Sequence, residues 1–178
     1  MRVFVAVEIT DNTVLNSIEK IQTELKISGK PIEIHNMHFT LMFLGEVEEE
    51  LIKRVQVQLQ TLEFSAFDIS FVGVGAFPKP KFPRIIWLGV EQGKEKLIQL
   101  AKNVEERLVP LGFSSDKPFS PHVTIFRIKN YAGDITDQIS KYSGVGFGVQ
   151  RVSSIKLKQS ILTPKGPIYS DIVVINAK

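Results

Sequence analysis

The sequence predicts an α+β fold with helices packed outside sheets that are at least partly antiparallel. Three observations lead there. Short runs rich in Val, Ile and Phe alternate with period two, and longer runs place apolar residues at helical spacing. The two kinds of run are interspersed along the chain. Several neighbouring strand-like runs have connections too short for the crossover helix that parallel pairing requires.

Arg2 to Ile9 reads as a strand, with Phe4, Ala6 and Glu8 on one face and Val3, Val5, Val7 and Ile9 on the other. Thr10 to Thr13 carry side-chain oxygens suited to capping a helix. Val14, Ile18, Ile21 and Leu25 then form one helical face, and Gly29 and Pro31 end it. A second strand runs from His38 to Leu44. After Gly45, a cluster of glutamates opens a helix whose stripe is Leu51, Val55, Leu59 and Leu62. Phe67 to Phe77 and Arg84 to Val90 read as strands around the loop PKPKFP. Gln92 to Pro110 reads as a helix with Leu97, Ala101, Val104, Leu108 and Leu111 inward. His122 to Ile128 is a strand, and Ile135 to Tyr142 a short helix. Two last strands cover Arg151 to Leu162 and Ile168 to Ala177, joined by the turn residues TPKGP.

The 178 residues suffice for one domain, or for one of two small lobes. A hydrophobic fraction of 43% with 23% charged residues is the balance of a globular chain. The net charge of +3 is too small to diagnose nucleic-acid binding. The absence of cysteine excludes disulfides, thiolate metal sites and thiol nucleophiles. The opening segment meets a charge at Glu8, too soon for a signal peptide. No apolar run approaches the roughly 20 residues that a membrane helix needs. A cytoplasmic protein without membrane contact is expected.

One short motif recurs. Residues 38–41 read His-Phe-Thr-Leu and residues 122–125 read His-Val-Thr-Ile, 84 residues apart and each at a strand start. Strand alternation puts His38 beside Thr40, and His122 beside Thr124, each pair above an apolar underside. Halves related by a pseudo-two-fold axis would face the pairs across a cleft. Two imidazoles suit phosphoester chemistry, one taking a proton from an attacking oxygen and one giving a proton to the leaving oxygen. The threonines can donate to phosphate oxygens, and Arg127 can neutralise charge there. Alternation points Arg127 away from His122, so the strand must end or bulge for the arginine to reach the cleft. A single His-x-Thr means little, since strand histidines are often only packed. Here two of the chain's three histidines sit in matching settings.

His35 and His38 lack the further ligands of a metal site and would point to opposite faces, so no metal is expected. Trp87 reads as a core residue. No phosphate-binding glycine loop or serine-nucleophile elbow occurs. Lys79, Lys81 and Arg84 are either solvated or a basic rim for an RNA strand.

The segments RVFVAVEI, HFTLMFLGEV, PRIIWLGV, PFSPHVTIFR and SILTPKGPIY follow one another across nearly the whole chain. Together they resemble the two-histidine phosphoesterase superfamily, specifically the RNA 2′,3′-cyclic phosphodiesterases historically named 2′-5′ RNA ligases. The resemblance implies one bilobal domain over residues 1–178. Its two similar lobes would each be an antiparallel sheet with outer helices, pseudo-two-fold related around a central cleft. It implies His38 and His122 as catalytic residues, with Thr40, Thr124 and Arg127 on the phosphate. Phe4 matches an N-terminal aromatic that either stacks on a nucleobase or packs in the core. Tyr169 and Ser160 match the C-terminal pattern. The implied reaction opens RNA or nucleotide 2′,3′-cyclic phosphate ends to 2′-phosphates in a monomer without cofactor, with 2′-5′ ligation as a side activity. Other cyclic phosphates, a 2′-5′ linkage, or a non-catalytic RNA-binding role are the alternatives.

Overall fold

A computed structural model describes residues Met1–Lys178. In chain order the elements are β1 (Arg2–Glu8), α1 (Asn12–Glu24), β2 (Lys30–Pro31), β3 (His38–Glu46), α2 (Glu49–Gln60), β4 (Phe67–Phe77), β5 (Ile85–Val90), α3 (Lys94–Leu108), β6 (His122–Arg127), α4 (Thr136–Ser140), β7 (Gly146–Val152), β8 (Ser154–Thr163) and β9 (Gly166–Asn176). They form two sheets, one ordered β3-β1-β8-β9 and one ordered β2-β6-β5-β4-β7. Every pairing is antiparallel. The fold is the expected two-lobed α+β architecture.

The helices form where apolar spacing and capping coincide. Asp11 accepts from the Val14 amide at 3.0 Å, satisfying a free N–H of the first turn of α1. Val14, Ile18 and Ile21 face inward, and burying each such side chain contributes roughly 1.5–3 kcal/mol. In α2 the buried stripe is Ile52, Val55 and Leu59, with Leu51 only half-buried, one position away from the expected phase. Leu97, Leu100, Ala101, Val104 and Leu108 are the inward face of α3.

The helices cross between the lobes. α1 follows β1 of the four-stranded sheet but packs on β7 and β6 of the other. α3 follows β5 of the five-stranded sheet but packs on β3. One apolar cluster therefore contains residues of both sheets, among them Val5 and Phe39 of one and Phe71 and Ile125 of the other.

β7 is additional to the expected elements, and the single strand expected from Arg151 to Leu162 is divided in two. The chain breaks at Ser153 between β7 and β8, which lie in different sheets. β7 carries Gln150, 4% exposed. Its Oε1 accepts from the Thr10 and Asp11 amides at 2.8 and 3.1 Å, and its Nε2 donates to the Glu8 carbonyl at 2.8 Å. One buried amide thus ties the five-stranded sheet to the turn between β1 and α1, where unpartnered backbone groups would each cost about 1–3 kcal/mol. No helix is long and apolar enough to cross a membrane.

Candidate active site

His38 and His122 open the strands β3 and β6, one in each sheet. Their local geometry is the same. His38 Nδ1–H donates to the Asn36 carbonyl at 2.7 Å, and His122 Nδ1–H donates to the Ser120 carbonyl at 2.6 Å. A carbonyl can only accept, so each contact fixes the proton on Nδ1 and leaves Nε2 as the free base. Thr40 lies beside its histidine, with Oγ1 at 3.0 Å from His38 Nε2.

The two motifs share one cleft of about 480 Å³, lined by His38, Thr40, His122, Thr124, Arg127 and Tyr169. Lys30, Lys129, Lys165 and His35 also reach it. His35 stands in a 3₁₀ turn with Nδ1 at 3.5 Å from a Glu33 oxygen.

Arg127 reaches the cleft because β6 bulges. Ile86 pairs with Phe126 and Trp87 with Thr124, so Ile125 has no opposite residue. The extra residue breaks the alternation. Ile125 and Phe126 are both buried, and Arg127 turns to the side of His122 and Thr124. Its charge is felt at His38 and Tyr169 in the opposite lobe.

The two histidines have different neighbours. His122 has aromatic ones. The Phe77 ring meets it edge-on at 5.1 Å, and Trp87 at 6.2 Å. Trp87 is therefore not the core residue expected from its apolar strand. It is half-buried beside Thr124, its register partner, with its buried Nε1 lacking a hydrogen-bond partner. Gly75 makes room for it, since a Cβ there would lie 2.2 Å from the indole.

His38 is set among charges. The same face of its sheet bears Glu8, Lys156, Lys158 and Asp171. Lys158 donates to both Glu8 and Asp171, and Lys156 Nζ lies 2.9 Å from Glu8 and 2.8 Å from Asp171. Burial works to raise both carboxyls, but these lysines outweigh it and hold them below their ordinary values. Burial pushes the His38 imidazole down, the Asn36 carbonyl opposes this, and the charges of Lys158 and Arg127 add to the depression.

Phe4 lies beneath this arrangement, 3% exposed. Its ring is 5.2 Å from His38 and 5.1 Å from Tyr169. Burial leaves it no open face for a nucleobase, which corrects the stacking alternative. Tyr169 itself lines the cleft edge-on to His38 at 5.3 Å, and burial raises its phenol. Ser160, its register partner on β8, is buried. Lys156, Lys158 and Asp171 are not among the residues expected at the site; their alternation on β8 and β9 is the available signal, visible only once both strands share the cleft face with β1.

Comparisons with known proteins give the family. The sequence pattern of the 2′-5′ RNA ligase superfamily matches residues 11–155. The RNA 2′,3′-cyclic phosphodiesterase of Archaeoglobus fulgidus is 47% identical over 98% of this chain and 99% of its own. That of Methanocaldococcus jannaschii is 38% identical over 95% of this chain and 96% of its own. Among solved structures, Escherichia coli LigT complexed with 3′-AMP superposes with a TM-score of 0.82 at 25% identity, over 99% of this chain and 97% of that one.

Proposed function

The chain belongs to the 2′-5′ RNA ligase superfamily and is a cyclic phosphodiesterase, and from that premise we propose that it hydrolyses 2′,3′-cyclic phosphate ends of RNA or nucleotides to 2′-phosphates by paired acid–base catalysis. The observation that carries the mechanism is the shared tautomer. Both histidines have Nδ1 fixed on a backbone carbonyl, within one cleft.

Hydrolysis makes one P–O bond and breaks another. Water attacks phosphorus and gives its proton to one Nε2. The P–O3′ bond breaks, and the 3′ oxygen takes a proton from the other Nε2. Family resemblance gives His122 the base role and His38 the acid role. Burial lowers the His38 pKa in the free protein, so in this assignment phosphate arrival favours its protonation. The bound anion offsets the charges of Lys158 and Arg127 that disfavour imidazolium. Arg127, Thr40 and Thr124 stabilise charge on the non-bridging oxygens, preorganised by strands rather than loops. These groups supply proton transfer and charge compensation, so no metal or cofactor is required. An RNA 5′-hydroxyl in place of water would form a 2′-5′ linkage at the same site.

The test is turnover of a 2′,3′-cyclic mononucleotide in excess chelator, with the product position read by ³¹P NMR. Undiminished formation of the 2′-phosphate is expected. Loss of activity restored by a divalent ion, or a 3′-phosphate product, would overturn the mechanism.

A further inference from the structure

The cleft takes the phosphate end; a longer RNA substrate has nucleotides that must lie elsewhere. We propose that the exposed aromatic pair Phe82 and Tyr131, with the basic residues around it, binds the single-stranded RNA on the 5′ side of the cyclic phosphate. This deepens the cyclic phosphodiesterase reading and rests on it.

Phe82 and Tyr131 are 52% and 69% exposed, with ring centroids 5.9 Å apart. They sit on two different loops, so their proximity is a product of folding. The loops are joined by three hydrogen bonds. The Ile135 amide donates to the Pro80 carbonyl at 3.0 Å, the Ile128 amide to the Arg84 carbonyl at 2.8 Å, and Arg84 Nη1 to the Lys129 carbonyl at 2.9 Å. Pro78, Pro80 and Pro83 restrict the first loop further. The aromatic faces are thus held in place before any ligand arrives.

The surface is strongly basic. Between residues 77 and 84 and between 127 and 135 the chain carries five cations against the single carboxylate of Asp134. Lys79 Nζ lies 5.4 Å above the Phe82 ring, so cation and π-face are adjacent. Adjacent cations and open aromatic faces match what a single strand presents, a phosphate and a stackable base in each repeat. The patch also continues from the cleft. Lys129 lines the cleft, and the first loop begins at Phe77, which packs against His122.

The experiment compares a cyclic mononucleotide with a pentaribonucleotide ending in 2′,3′-cyclic phosphate. Wild-type kcat/KM should favour the pentamer, chiefly through KM. Phe82→Ala/Tyr131→Ala should lose about tenfold or more on the pentamer and nothing on the mononucleotide. Lys79→Ala/Lys81→Ala should lower the salt slope of pentamer binding by about 1.4, from roughly 0.7 per phosphate contact. All of these side chains are exposed, and unchanged thermal melting verifies the fold. Fluorescence anisotropy with a pentamer ending in 2′-phosphate reads the surface without chemistry. Binding about tenfold weaker in the aromatic variant supports the proposal, even if neither substrate turns over; that pattern would sink the phosphodiesterase mechanism alone. Unchanged pentamer binding, or equal losses on both substrates, overturns the RNA surface. A patch made for a protein partner would give that unchanged binding.

Discussion

Arg127 and Phe43 occupy the same station in the two halves of the molecule. Arg127 pairs with Ile85 as Phe43 pairs with Phe4. Each strand has slipped by one residue just before that point, with Leu41 unpaired in β3 as Ile125 is in β6. The duplicated motif therefore includes its bulge. What differs is the residue delivered. One half presents a guanidinium to the cleft, and the other an exposed phenyl ring with Arg2 lying 5.1 Å from its centroid.

Arg127→Ala should lower kcat/KM about 10²–10³-fold, the usual loss for one preorganised electrostatic donor. Arg127→Lys should recover only part, because an ammonium does not reproduce the paired N–H geometry of guanidinium. Arg127 is exposed, so melting temperatures should hardly move. Steady-state kinetics beside thermal melting check this, and wild-type rates in the alanine variant would remove Arg127 from the mechanism.

The motif pairs were legible in the sequence because a strand's period of two is strict over three residues. His38 with Thr40 needs no tertiary information. Arg127 exceeded that reach, since a bulge depends on register with β5. Trp87 departs from its expected core placement for a related reason. An apolar strand looks the same whether its large residue faces the core or a cleft, and only Gly75 opposite, on β4, shows where the indole lies. The β7–β8 boundary was hidden because Ser153 joins two apolar strands without a Gly or Pro between them. The charge cluster behind His38 draws on β1, β8 and β9, which alternation within one strand cannot assemble.

The charges around His38 set its titration. Lys158→Met removes a cation that opposes imidazolium and leaves Glu8 and Asp171 less compensated. Both effects raise the His38 pKa. The limb of the kcat/KM profile that belongs to His38 should move to higher pH, while the other limb stays. The same depression has a stability consequence. The folded His38 binds its proton at lower pH than the unfolded chain does, near ~6.5. Falling pH just below that value therefore costs stability. Melting scans should show this fall in the wild type and a smaller one in His38→Gln. Equal slopes would contradict the depressed His38 pKa.

Gly75→Ala tests the aromatic support of His122. The added methyl would meet the indole of Trp87 at 2.2 Å, so the ring must shift. Overpacking of this kind typically costs about 1–3 kcal/mol. Trp87 packs on Phe77, and both pack on His122, so the displacement reaches the His122 ring. A lower melting temperature, altered Trp fluorescence and reduced turnover should appear together. Since the chain has one tryptophan, fluorescence reports this site alone.

The strongest test concerns the two histidines as a unit. If one is acid and the other base, the reaction needs one imidazole protonated and one neutral, and kcat/KM should be bell-shaped in pH. His38→Ala and His122→Ala should each remove most activity. The double variant should be little worse than either, because residues acting together give non-additive losses. Each single variant should also lose one limb of the bell, and the surviving limb identifies the remaining histidine. Both variants should still fold. His122 is only partly buried, and the apolar underside of each motif, Phe39 or Val123, stays in place. His38→Ala leaves a gap beside Phe4 and Tyr169, so it should lose more thermal stability than His122→Ala. Rates, pH profiles and melting on the four proteins separate catalysis from packing. A histidine whose removal leaves the rate intact in a folded protein would belong to binding or structure, and acid–base pairing would fail.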